Sequence, residues 1–103
     1  MFEILEQCTG FQWDEGNRGK NWIRHRVNDS ECEQVFYNKP LIFADDRKHS
    51  KTEKRWYVLG RTDVNRQLFI VFTVRGDLIR IISARDINKK EREIYYEQTE
   101  KNT

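Results

Sequence analysis

The sequence predicts an α+β domain, because its strand-like and helix-like segments come in runs and do not alternate. Apolar segments of strand length crowd the middle of the chain and are separated by turn residues. Helical spacing and capping signals fall toward the two ends. The 103 residues hold no repeat, no low-complexity tract and a single proline, Pro40, so the chain reads as one unit. The predicted division is an N-terminal extension over residues 1–10, one domain over 11–98, and a tail over 99–103.

Phe11-Gln12-Trp13 alternates apolar and polar and predicts a short strand. Asp14 is a candidate N-cap for a first helix to about Arg26, with Trp22 and Ile23 inward, although Gly16 and Gly19 weaken it. Ser30 and Glu33 have the spacing of a capping box, and Cys32, Val35 and Phe36 follow at helical spacing. Pro40 ends that second helix. Residues 41–43 predict a strand, 44–53 a polar loop, 55–61 a strand, and 68–74 a central strand apolar on both faces. Arg75-Gly76-Asp77 is a hairpin turn leading to a strand over 78–84. Asp86 or Asn88 caps a last helix to about Gln98, with Ile87, Ile94 and Tyr95 inward. The expected sheet has about four antiparallel strands plus the short N-terminal one. Two N-terminal helices and one C-terminal helix pack on it, with one face covered and the other left free.

No apolar run is long enough to span a membrane, and the acidic, mixed N-terminus lacks the pattern of a signal peptide. Cys8 and Cys32 lack metal-ligand spacing and read as free thiols of a cytoplasmic protein, with an isolated disulfide as the alternative. No glycine-rich phosphate loop and no zinc motif occurs, so no cofactor and no metal is expected. Asp45, Asp46 and His49 fall in a polar loop, where solvation is the ordinary state of such residues. The net charge of +2 conceals an asymmetry. Residues 1–46 hold five Lys/Arg against nine Asp/Glu, whereas residues 47–92 hold thirteen against five. A positive half can attract a polyanion although the total is near neutral.

Arginine is the chemistry that remains. Arg55, Arg61, Arg75, Arg80 and Arg85 lie in or at the ends of neighbouring strands. Guanidinium forks match phosphate oxygens, stay ionised and stabilise the charge of a phosphoryl-transfer transition state. Arg80 interrupts an isoleucine-rich strand. By strict alternation Arg80 and Arg85 point to opposite faces, and a bulge or the strand end is needed to bring them to one site. Singly, each arginine also fits a surface ion pair with a carboxylate such as Asp77 or Asp86. Trp56, Tyr57, Tyr95 and Tyr96 are candidates for stacking exposed bases or for core packing.

Phe11-Gln12-Trp13-Asp14, Asn17, Lys20-Asn21 and Arg24-His25 resemble the opening of BrnT-type toxins. Val35-Phe36, Gly60-Arg61 and the segment Ile79-Arg80-Ile81-Ile82-Ser83-Ala84-Arg85 extend the likeness over about residues 11–98. One departure is Arg26, where the family has glycine. The resemblance implies a RelE-like fold and metal-independent cleavage of RNA that arrests translation. It also implies a BrnA-type antitoxin with a ribbon-helix-helix part, through which the complex reaches operator DNA. On the leading reading Arg80 and Arg85 hold the scissile phosphate and His25 transfers a proton. Arg55, Arg61, Arg75, Tyr57 and Lys20 then bind RNA. The alternatives are a non-catalytic partner or co-repressor with a basic patch, and a small interaction domain with no anion site.

Overall fold

The apolar stretches of the middle of the chain become one sheet. The computed structural model describes residues 3–49 and 52–101. In chain order these form α1 (Glu3–Glu6), β1 (Gly10–Phe11), α2 (Lys20–His25), α3 (Asp29–Val35) and β2 (Ile42–Asp45). A 3-10 turn (Arg47–His49) follows, then β3 (Trp56–Arg61), β4 (Gln67–Arg75), β5 (Leu78–Asp86) and α4 (Lys89–Lys101). The strand order is β1-β5-β4-β3-β2. β2 to β5 make the antiparallel meander expected from the sequence. β1 pairs with β5 in parallel, Gly10 opposite Leu78 and Phe11 opposite Ile79, so the sheet is mixed and not wholly antiparallel. The connection through α2 and α3 carries the chain from one sheet edge to the other, which permits this parallel pairing.

The main core lies between one sheet face and the segment 27–35. Val27, Cys32 and Val35 meet Val58, Leu68, Ile70, Phe72, Ile79, Ile81 and Ala84. Phe72 is fully buried, with Phe36 edge-on at 5.2 Å and Trp56 stacked at 5.9 Å. A side chain of this size contributes about 1.5–3 kcal/mol by leaving water. Gly60 lets α3 approach closely, because a Cβ there would lie 2.6 Å from Val35 Cγ1. A second cluster of Leu59, Ile87 and Tyr95, with Ile42 and Phe69, forms on the opposite face. Tyr95 Oη donates to the Pro40 carbonyl at 2.9 Å. Helices therefore cover parts of both faces. The expectation of one covered and one free face is corrected to a second face half covered by α4.

Several element boundaries differ from the sequence reading. Asp14 does not cap a helix; its carbonyl accepts the Asn17 and Arg18 N–H groups in a turn. Helix α2 starts only after Gly19, whose φ of 70° is left-handed. This short helix buries Asn21 and leaves Trp22 and Ile23 exposed, the reverse of the amphipathic reading. The two glycines disfavour helix earlier in the segment, so the inward face is set by a later start. Arg26 ends α2 in the left-handed region at φ 56°, the conformation that glycine takes there without strain. The capping box of α3 is Asn28 with Glu31, two residues before the Ser30–Glu33 pair. Asn88 with Glu91 caps α4, as one of the two candidates predicts. Ile87 and Tyr95 are buried, but Ile94 is half exposed. Gly76, at φ 62°, takes the first central position of the two-residue hairpin between β4 and β5.

Candidate functional site

The arginine face depends on one irregularity. Val71 pairs with Ser83, but the next residue, Phe72, pairs with Ile81, so β5 carries Ile82 as an extra residue. Pleating changes phase there. Ile79 and Ile81 before the bulge and Ala84 after it all face the main core. Arg80 and Arg85 consequently emerge on the same, opposite face. The pairing builds that face in rows. One row sets Tyr57 beside Val71 and Ser83, and another sets Leu59 beside Phe69 and Arg85. Thr73 lies beside Arg80, and Arg75 beside Leu78. The segment before β3 stays close to this face, since Thr73 Oγ1 donates to the Lys54 carbonyl at 2.7 Å and Arg75 meets Glu53. The cluster made by α4 takes in Leu59, Ile42 and Phe69 and stops short of the rows that hold Arg75 and Arg80.

Every arginine on these rows with a resolved pair meets a carboxylate in two-pronged geometry. Arg80 donates to Asp14 at 2.8 and 3.0 Å and to Gln12 Oε1 at 3.2 Å. Arg75 donates to Glu53 at 2.9 and 3.2 Å. Arg85 donates to Glu91 at 2.8 and 2.9 Å, and its guanidinium lies 4.2 Å from the Phe69 ring centroid. The pairings anticipated from sequence, with Asp77 or Asp86, do not form through side chains. Asp86 is instead held by Arg66, which also reaches Glu31. Arg80 is 13 % exposed and Asp14 52 %, so the carboxylate lies over the guanidinium on the solvent side. Gly16 packs against it so closely that a Cβ would lie 2.6 Å from Arg80 Nη2.

The carboxylates report the field of this face. The Arg80 hydrogen bond, aided by the Gly16 N–H, holds the Asp14 carboxyl below its ordinary pKa, and Arg75 contributes. The Arg75 hydrogen bond likewise lowers Glu53, with further contributions from Arg55 and Arg80. Arg75 and Arg80 thus act on the same two acids, and Arg55 on Glu53 alone of the two. Burial pushes the Glu91 carboxyl up, but the Arg85 hydrogen bond and the Asn88 N–H outweigh it. The Arg75–Glu53 pair is exposed and holds weakly in water, so a phosphate that offers the same oxygen geometry competes for that guanidinium.

The remaining predicted residues are dispersed. Tyr57 is partly buried in the middle of the face, its ring 5.3 Å from Phe69. Arg61 lies at the far end of β3, where Nε donates to the Lys39 carbonyl at 2.9 Å. Lys20 is exposed at the start of α2. His25 is exposed at the end of α2, near enough to Asp86 to lower its pKa after the dominant effect of Arg66. By alternation Asp86 is on the core side of β5, so His25 stands across the strand from Arg80 and Arg85. Arg80 and Arg85 themselves lie roughly 15 Å apart along the strand at about 3.3 Å per residue, and each guanidinium holds its own carboxylate, Asp14 and Glu91. Sequence reasoning missed Gln12, Asp14, Gly16, Glu53 and Glu91 as members of the face. Only the Asp14–Gly16 stretch carried a signal, a turn-forming Asp-x-Gly. Among the described residues no group of three or more His, Cys, Asp or Glu is placed to hold a metal ion. No described helix is long and apolar enough to cross a membrane.

No curated protein matches the chain. The family model described as the ribonuclease toxin BrnT of type II toxin-antitoxin systems matches residues 13–91. That stretch runs from Trp13 through the arginine-bearing strands to Glu91, the partner of Arg85, and covers well over half of the sequence. The chain belongs to the BrnT family of type II toxin-antitoxin ribonuclease toxins.

Proposed function

We propose that this toxin is a metal-independent endoribonuclease of RelE-like fold that arrests translation in the cytoplasm by cutting RNA. A BrnA-type antitoxin with a ribbon-helix-helix part neutralises it, and operator DNA is reached only through that antitoxin. The observation that carries the reading is the placement of Arg75 and Arg80 on one sheet face with Tyr57, and of Arg55 near enough to act on Glu53. RNA lies along the rows, each phosphate replacing a carboxylate on a guanidinium. The 2′-hydroxyl gives its proton to solvent and attacks its own phosphorus. The P–O5′ bond breaks to leave a 2′,3′-cyclic phosphate and a 5′-oxygen that takes up a proton, and the arginine that holds the phosphate stabilises the charge that develops. Arg80 is assigned to the scissile phosphate and Arg85 to a neighbouring one, because of their separation along β5. Tyr57 offers a ring against which an unstacked base can lie. Arg61 and Lys20 extend the track at the periphery. His25, the histidine beside β5, stands across the strand from Arg80, so it has no part in the step at the scissile phosphate.

The carboxylate on each arginine favours a second reading, a non-catalytic partner whose ion pairs are structural. The test uses purified chain without antitoxin, RNA, and a chelator. Cleavage by the parent protein, lost in Arg80→Ala and weakened in Arg85→Ala while their melting curves stay cooperative, supports the nuclease. Intact RNA under conditions where the protein binds it selects the second reading. Full growth arrest by both variants in cells removes the arginines from the mechanism.

A further inference from the structure

The shared face of Arg80 and Arg85 exists because of the bulge, and the bulge lies on a stretch of β5 that has no strand outside it among the described residues. β1 pairs only with Leu78 and Ile79. Unbroken pleating would turn Arg85 toward the main core, since it follows Arg80 by an odd number of residues. Two asparagine side chains occupy the open edge. Asn17 Nδ2 donates to the Ile81 carbonyl at 3.1 Å and to the Gln12 carbonyl at 3.0 Å. Asn21 Oδ1 accepts the Ala84 N–H at 3.0 Å. These bonds bracket Ile82 and Ser83, where the register shifts. Both asparagines are buried, 4 % and 3 % exposed. Asn21 Nδ2 finds no partner among the described residues, so Asn21 contributes through its oxygen alone. Asn17 Oδ1 also accepts the Asp14 N–H at 2.9 Å, which fixes the turn that lays Asp14 over Arg80 to the same edge.

From this arrangement we infer that Asn17 and Asn21 are positioning residues for RNA cleavage: they set the phase of β5 and so the face on which Arg85 emerges. They act through the strand and touch no substrate group. The functional half of the inference rests on the nuclease reading above, and the structural half does not.

The two halves separate in one experiment on the full chain without antitoxin. The Arg85 guanidinium lies over the Phe69 ring, so its side-chain NMR signals carry a ring-current shift. In folded Asn21→Ala this shift collapses while the overall fold is retained. RNA cleavage falls about 10- to 100-fold, as for a displaced binding group. In an Arg85→Ala background the same substitution causes no further loss. Should Asn21→Ala not fold, Asn17→Ala removes the other half of the clamp and is read by the Arg85 signals alone, because it also frees the turn that carries Asp14. Unchanged Arg85 signals in a folded variant overturn the inference, as does a loss equally large with and without Arg85. If the parent chain cleaves no RNA, the nuclease reading falls, while the Arg85 signals still decide the clamp.

Discussion

Replacing Asp14 by asparagine tests whether the arginine face is a working RNA surface. The substitution keeps an oxygen that can accept the Gly16 N–H but removes the charge that holds Arg80 in two prongs. It also removes a negative charge that acts on Arg75. A phosphate then takes the Arg80 guanidinium without having to displace a carboxylate. For single-stranded nucleic acid each phosphate contact contributes about 0.7 to the slope of log K against log salt. RNA binding by Asp14→Asn is therefore tighter than the parent's with a similar slope, because the same contact forms in both. Arg80→Ala loses that contact, so its slope is shallower by about 0.7 and it loses roughly 2.6-fold less affinity than the parent between 50 and 200 mM salt. Fluorescence anisotropy with a labelled single-stranded RNA, titrated at several salt concentrations in chelator, measures both quantities. Equal or weaker binding by Asp14→Asn, or an Arg80→Ala slope as steep as the parent's, would show that phosphate does not replace this carboxylate on Arg80.

Gly60→Ala places a methyl against Val35 Cγ1 and Leu41 Cδ1, so it destabilises by about 1–3 kcal/mol, read as a lower urea midpoint with an unchanged slope. Arg26→Gly relieves the left-handed end of α2 and gains about 0.5–1 kcal/mol after loss of the Arg26–Trp22 contact, seen as a higher melting temperature. Glu91 is held below its ordinary pKa in the folded chain, so the unfolded chain binds more protons in acid. Its contribution is complete above the unfolded glutamate value of about 4.3 and is lost as pH falls through the lower folded value. Melting temperatures from pH 6 to 3 accordingly drop less steeply in Glu91→Gln than in the parent. Burial pushes the Cys32 thiol up to about 12, so iodoacetamide at pH 8 labels it only on unfolding, and rapid labelling of Cys32 itself in native Cys8→Ala would contradict its place in the core.

Much of the architecture was legible because hydrophobic period and capping are local. The apolar strand over 68–74, the Gly76 hairpin and the Asn88 cap needed only neighbouring residues to be read, and each is present. Local pattern misled at residues 14–26, where Trp22 and Ile23 have helical spacing but α2 turns Asn21 inward. There the outcome was decided by an edge of β5 that needed hydrogen-bond partners, which outweighed the apolar character of the side chains. The exposed Trp22 and Ile23 are the consequence.

By itself the sequence determined the α+β class, the order of the strands and of the last three helices, and the concentration of arginines in the later strands, and its segment around Arg80 marked the family; α1 was not read from it. Tertiary structure alone decided which side of the sheet those arginines share and what holds them. Arg80 meets a carboxylate 66 residues away, and Arg75 one 22 residues away. Such partners follow from strand register, and a single extra residue, Ile82, reverses every side chain beyond it. Short-range preferences place a residue in a strand. The face it presents is set by how distant strands align and by whether the polar edge of the last one is satisfied.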